Sequence, residues 1–405
     1  MRLKLIVTSL LLLCLFNGGC SPAPGFDYQL ASILKPYRFS VAKWELKAIP
    51  HEAKQWLFHR ENDQTNTVLE YFSLVEQIKG LESEMAAINA GNKPGDLASL
   101  EAELNRLQQQ RTALAGKVET IIARQIKEAL AEQGIFHPMD KYIRLKVSFP
   151  PLGFKLEKPP HLLVVSPRDR IESTREITLK QNLSLEEMKS IEARVDKLGV
   201  SSLVVEPGGL GATYPTFVTD NASLQFTINT ATEEWLHQYL TFKPLGFLYL
   251  LDLTGISRNY EIAIINETLA SMLSKEIGAI VCQKYYPDYE DSAEQEEKAE
   301  SEFNFNREMR EIRRAVDNYL ARGEITQAEE FMEQKRQYLV SMGYQIRKLN
   351  QAYFAFYGTY ADSPTSISPI GVELKKLREQ SASLKDFLDT VATMTSREDL
   401  RTSIK

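Results

Sequence analysis

Apolar positions recur three and four apart twice in the first third of the chain. The first set is Val68, Tyr71, Val75, Ile78, Leu81, Met85 and Ile88, and the second is Leu100, Leu104, Leu107, Leu114, Val118 and Ile121. This spacing puts each set on one face of a helix and predicts helices over 61–90 and 97–133. Between them, Gly91-Asn92-Lys93-Pro94-Gly95-Asp96 is a run of helix breakers, so the pair is expected to fold back as an antiparallel hairpin with coiled-coil character. Arg111 interrupts the seam. A hairpin of this kind serves as a spacer or packing arm, and no chemistry is assigned to it.

The pattern changes from Lys141. Tyr142 to Phe149 alternates, and Leu162 to Val165 and Leu203 to Val205 are short β-branched runs. Ser184 caps a helix reaching Leu198. Helical spacing then covers Leu224 to Phe242 and Asn259 to Gln283. An acid-rich stretch, 285–303, reads as a solvated linker, and helices follow over 305–322, 326–357 and 371–394. Ahead of the hairpin, Pro22, Pro24, Pro36 and Pro50 argue against a long helix, so 20–60 is expected to be a tether with an N-terminal strand. The expected fold class is α+β, mostly helical. A small-sheet domain over 141–284 sits between the hairpin (61–134) and a C-terminal helical region (304–405).

The first nineteen residues have another purpose. Arg2 and Lys4 precede an apolar run, Leu5 to Phe16, and then Asn17, Gly18, Gly19 and Cys20. That is the order of a cleavable export signal, and the run is shorter than the ~20 residues a spanning helix needs. Gly18-Gly19-Cys20 resembles a lipobox, with Asn17 where an aliphatic residue is usual. The resemblance implies a diacylglycerol on Cys20, and hence a membrane-lipid partner, with an ordinary secretory signal as the alternative. The location it implies is the cell envelope, at the outer side of the cytoplasmic membrane or in the outer membrane. With Cys14 removed and Cys20 acylated, Cys282 is left alone, so no internal disulfide is expected. The chain carries a net charge of −6, and loss of Arg2 and Lys4 would make it −8, which argues against a nucleic-acid partner.

Candidate chemistry lies around one histidine of five. In Thr232-Glu233-Glu234-Trp235-Leu236-His237, Glu233 and His237 are four apart and share a helical face, with Glu234 beside them. About thirty residues on, a second helix supplies Asn266-Glu267-Thr268-Leu269-Ala270. The two segments resemble the active-site helices of gluzincins, metallopeptidases that take a third ligand from a Glu on a following helix. The wider likeness is to putative bacterial aminopeptidases of that group. Gly208 to Val218 is similar to their glycine-rich edge strand, and Leu349 to Tyr360 to their C-terminal aromatic helix.

The resemblance implies that Glu233, His237 and Glu267 are ligands to a divalent metal and that Glu234 is the base deprotonating the attacking water. It also implies oxyanion donation from Tyr353, Tyr357 or Tyr360, and a peptide substrate lying along Gly211, Ala212, Thr213 and Tyr214. A Glu-His-Glu set carries one more negative charge than the family's His-His-Glu. It therefore neutralises the ion more fully and favours harder cations such as Mn²⁺ beside Zn²⁺.

A plainer alternative stays open: Thr230 and Glu233 fit a capping box, leaving His237 an ordinary buried histidine. Against it, Leu224 to Ile228 already has helical spacing, which places the Glu pair mid-helix. The functional expectation is a membrane-anchored metallopeptidase. Its alternative is a catalytically inactive relative acting as an envelope scaffold or binding lipoprotein.

Overall fold

The computed structural model describes residues 25–40, 65–90, 93–139, 146–211, 213–289, 303–363 and 366–404. The signal, Cys20 and most of the acidic linker lie outside these residues. The described chain is mostly helical, with two small sheets, in line with the α+β expectation.

Helix α1 spans Phe26–Leu34 and buries Leu30 and Leu34, where a tether and strand were expected. Pro24 and Pro36 flank its nine residues rather than interrupting them, so the prolines set its ends. Over the described part, 25–40, the chain forms an isolated bridge from Arg38 to Leu179 and no strand, and the rest of 20–60 lies outside the described residues.

The hairpin forms as α2 (Thr65–Asn89) and α3 (Leu97–Glu132), with the Asp96 side chain accepting the Ala98 and Ser99 N–H groups as cap. It is more than an arm. The second half of α3 buries Val118, Ile122, Ile126 and Leu130 in the main core. Arg111 marks the changeover, pairing with the Asp220 carboxylate at 2.5 Å and donating to the Asp220 carbonyl at 3.0 Å.

One sheet has the order β1 (Phe154–Leu156), β6 (Thr216–Val218), β5 (Gly209–Leu210), with β1 parallel to β6 and β5 antiparallel at the edge. The other is antiparallel, in the order β3 (Arg175–Thr178), β2 (Leu162–Pro167), β4 (Val200–Val205), and is backed by α4 (Leu185–Asp196). The alternation at 142–149 does not become a strand over its described part, 146–149. Pro150 and Pro151 follow at once and remove two backbone donors that a ladder would need.

Helices α5 (Leu224–Leu240, capped by Ser223) and α7 (Tyr260–Tyr285, capped by Asn259) pack together across the main core, with α6 (Pro244–Leu253) between them in sequence. Leu224, Ile228, Trp235 and Leu236 of α5 meet Ile265, Leu269, Leu273 and Ile277 of α7 in one cluster. Because the cap is Ser223, Glu233 lies mid-helix, which removes the capping-box alternative.

The C-terminal region is α8 (Phe305–Ala321), α9 (Ile325–Ser341), α10 (Gln351–Tyr357), α11 (Pro369–Gln380), α12 (Leu384–Val391) and α13 (Arg397–Ser403). The single helix expected over 326–357 is broken. Gly343 takes φ 95°, a left-handed conformation that ends α9, and Asn350 caps a new start. The helix expected over 371–394 divides where Ser383 caps α12.

Candidate metal centre

Helix geometry brings the candidate ligands together. Glu233 and His237 sit one turn apart on α5, facing Glu267 in the third turn of α7. One ligating atom from each of the three lies within 4.8 Å of the other two. His237 Nε2 is 3.5 Å from Glu267 Oε2. Donors ~2.1 Å from a shared ion sit about 3–4 Å apart, so small side-chain rotations close the set.

The surroundings fix how these groups point. Asn266 Oδ1 accepts from His237 Nδ1 at 2.8 Å, which fixes the ring with Nε2 toward Glu267, so that loss of the Nε2 proton would turn a lone pair to a shared cation. Tyr249, on α6, donates to Glu267 Oε1, and the Tyr360 hydroxyl donates to the same carboxylate. Ser274 Oγ lies 3.5 Å from Glu233 Oε2. Glu234 accepts the Gly211 N–H and lies directly under the edge strand, where a Cβ at Gly209 or Gly211 would overlap its carboxylate oxygens. Gln238 holds the turn beyond that strand, donating to the carbonyls of Gly211 at 3.4 Å and Thr213 at 3.1 Å.

Three carboxylates and one imidazole share this poorly solvated space. Burial pushes the Glu233 carboxyl up to about 8 against the pull of His237, with Glu267 and Glu234 adding repulsion. Burial likewise raises Glu234 to about 7. Burial opposes charge on His237, but the Glu267 carboxylate outweighs it and lifts the ring to about 10. Glu267 keeps its charge despite burial, held below the usual carboxylate range by His237 and the two tyrosines. Burial and the Glu267 charge together drive Tyr249 and Tyr360 well above 10, so both remain donors. The donor set therefore fits a divalent cation: two oxygen ligands and one nitrogen, with an excess of negative charge that protons must offset in the ion's absence.

Of the residues singled out from sequence, Glu233, Glu234, His237, Glu267, Tyr360 and Gly211 are brought to this place. Tyr353 and Tyr357 are not. Their rings pack on each other at 4.5 Å and line a separate cavity of about 540 Å³ with Arg313 and Arg397, because α10 is a short, newly capped helix. The edge strand is also shorter than expected. It ends at Leu210, Thr213 is buried with its hydroxyl donating to the Leu210 and Pro215 carbonyls, and Tyr214 lies past the strand. Ala212 lies outside the described residues.

Tyr249 and Gln238 were missed. Tyr249 is embedded in the apolar run 247–253, and nothing in the local pattern marks it as polar-facing. Asn266 was quoted only as part of a motif, although a buried Asn on an otherwise apolar stripe is itself a signal.

Comparison with protein-family models, with curated proteins and with solved structures found no match to this chain.

Proposed function

We propose that the chain is a metal-dependent peptidase held at an envelope membrane. The observation carrying this reading is the convergence of Glu233, His237 and Glu267 within 4.8 Å, with Glu234 next to them under a glycine strand. Glu233, His237 and Glu267 would hold a divalent cation, Zn²⁺ or Mn²⁺, which when bound acts as a Lewis acid toward a peptide carbonyl and the attacking water. Glu234, already raised toward neutrality, takes the proton from that water and passes it to the departing amine. The free edge of β5 offers backbone groups to an extended peptide above Glu234. Tyr360, which with Tyr249 donates to Glu267, is the phenol that would donate to the developing oxyanion.

One observation favours a second reading, a catalytically inactive binding or scaffold lipoprotein. Half-buried His237 and buried Glu267 form a pair completed by Asn266, Tyr249 and Tyr360, a set of contacts that protein groups alone can satisfy. Hydrolysis of a fluorogenic peptide library with Zn²⁺ or Mn²⁺ separates the two. The enzyme reading predicts cleavage that drops at least a thousandfold in Glu234→Gln while the metal stays bound. Metal binding without cleavage in the unmodified chain would leave the binder.

A further inference from the structure

Helix α6 is built inside out. Its inward residues are Leu245 and Gly246, buried, with Tyr249 on Glu267 and Asp252 accepting the Asn259 N–H at 2.6 Å. The outward residues are the greasy ones: Phe247, Leu250 and Leu253 lie at three-residue intervals on one face, and Ile256 follows the helix end. Phe242, just before the helix, stacks obliquely on Phe149 at 5.3 Å between centroids and extends the strip. These six side chains are between 38% and 70% exposed. Other large apolar side chains are exposed singly elsewhere, but here three share one helix face with Ile256 just beyond it and a Phe149–Phe242 pair before it, and a grouping of this kind marks a contact surface.

Charge identifies what it contacts. The whole chain is acidic, at −6. Over 146–149 and 242–258, however, the charged residues are Lys146, Lys243, Asp252 and Arg258. Asp252 is buried, with Arg258 3.8 Å away. Within these segments the strip carries exposed Lys146, over the Phe136 ring, and half-buried Lys243, over the Tyr239 ring, and presents no exposed carboxylate of its own. A ten-residue helix rises ~15 Å, half of a bilayer core, so it cannot span and can only lie in the interface.

We infer that the outer face of α6, continued by Phe242 and Phe149, docks in the plane of an anionic lipid surface with Lys146 and Lys243 at the headgroups. This surface is separate from acylation at Cys20, and it does not depend on the peptidase reading. Because Tyr249 belongs to the same helix, docking would set the metal centre close to the membrane face.

The test uses the full chain with Phe247 replaced by a benzophenone-bearing amino acid, on vesicles of phosphatidylglycerol and phosphatidylethanolamine. The same group at Glu311, on α8, is the control. Irradiation should give a lipid adduct by mass at position 247 at least tenfold above the control. That yield should fall severalfold on phosphatidylcholine vesicles and in a Lys146→Gln background. A yield at 247 no higher than at 311 overturns the inference, as does equal labelling of neutral and anionic vesicles. Adducts joining two copies of the chain in place of lipid would also overturn it, and would assign the strip to self-association.

Discussion

Asn266 offers no atom to the proposed cation and yet sets the ring of His237 by accepting from its Nδ1. Replacing it with Ala removes the acceptor for Nδ1–H and frees the imidazole to rotate, so metal affinity should fall roughly 10–100-fold. A competition titration against a chromogenic chelator reads this directly, and an unchanged affinity would show that the ring is held by packing alone. The titrating groups make a second prediction. His237 is raised from 6.5 to about 10, so the stability it contributes is complete below pH 6.5 and lost as pH climbs to 10. Glu233 is raised from 4.5 to about 8, and its contribution is lost in the same direction between those values. The metal-free chain should therefore show a melting temperature that declines from pH 5 toward pH 10, with a shallower slope in Glu233→Gln. Glu267, shifted downward, acts only at the acid end. At this scale the i, i+4 pair and the Asn-Glu dipeptide were legible, because helical spacing alone puts them on defined faces. Tyr249 and the weakly solvated setting of half-buried Glu233 were not, since both depend on which surfaces meet across the core.

At the scale of elements, the site exists because α5 and α7 approach closely. Gly278 is where they touch: a Cβ there would overlap Asn229 Oδ1. Gly278→Ala should spread the helices, destabilise the fold by about 1–3 kcal/mol in urea unfolding, and weaken metal binding as well. Loss of stability with unchanged metal affinity would place the site's rigidity elsewhere. Long, strongly periodic helices were readable in advance, among them α2, α3, α5 and α7. Ends and breaks were read less well. Gly343 and Ser383 act as stops because of backbone conformation and capping, which apolar spacing ignores, and α1 is short enough to lie between two prolines. The outward apolar face of α6 shows the limit of periodicity, since the same stripe could have faced either the core or the surroundings.

For the whole molecule, the base of the hairpin, Val68–Val75 and Val118–Leu130, is built into the main core while the part toward its turn packs on itself, so the helices that carry the candidate site rest on the second half of α3. Among the described residues no helix is long and apolar enough to cross a membrane. Attachment would come from the acyl chain proposed on Cys20, and mass spectrometry of the purified protein's first tryptic peptide should show an N-terminal cysteine carrying diacylglycerol. A peptide beginning at another residue, or an unmodified thiol, would remove the anchor. The centre itself is tested most directly by isothermal titration of the purified chain with Zn²⁺ and Mn²⁺ at pH 7.5, in buffers of different ionisation enthalpy. One ion should bind per chain with release of about two protons, as His237 and Glu233 give theirs up, and binding should be abolished in His237→Ala and Glu267→Ala. Absence of binding in the folded unmodified chain, or binding that persists in both variants, would contradict the account.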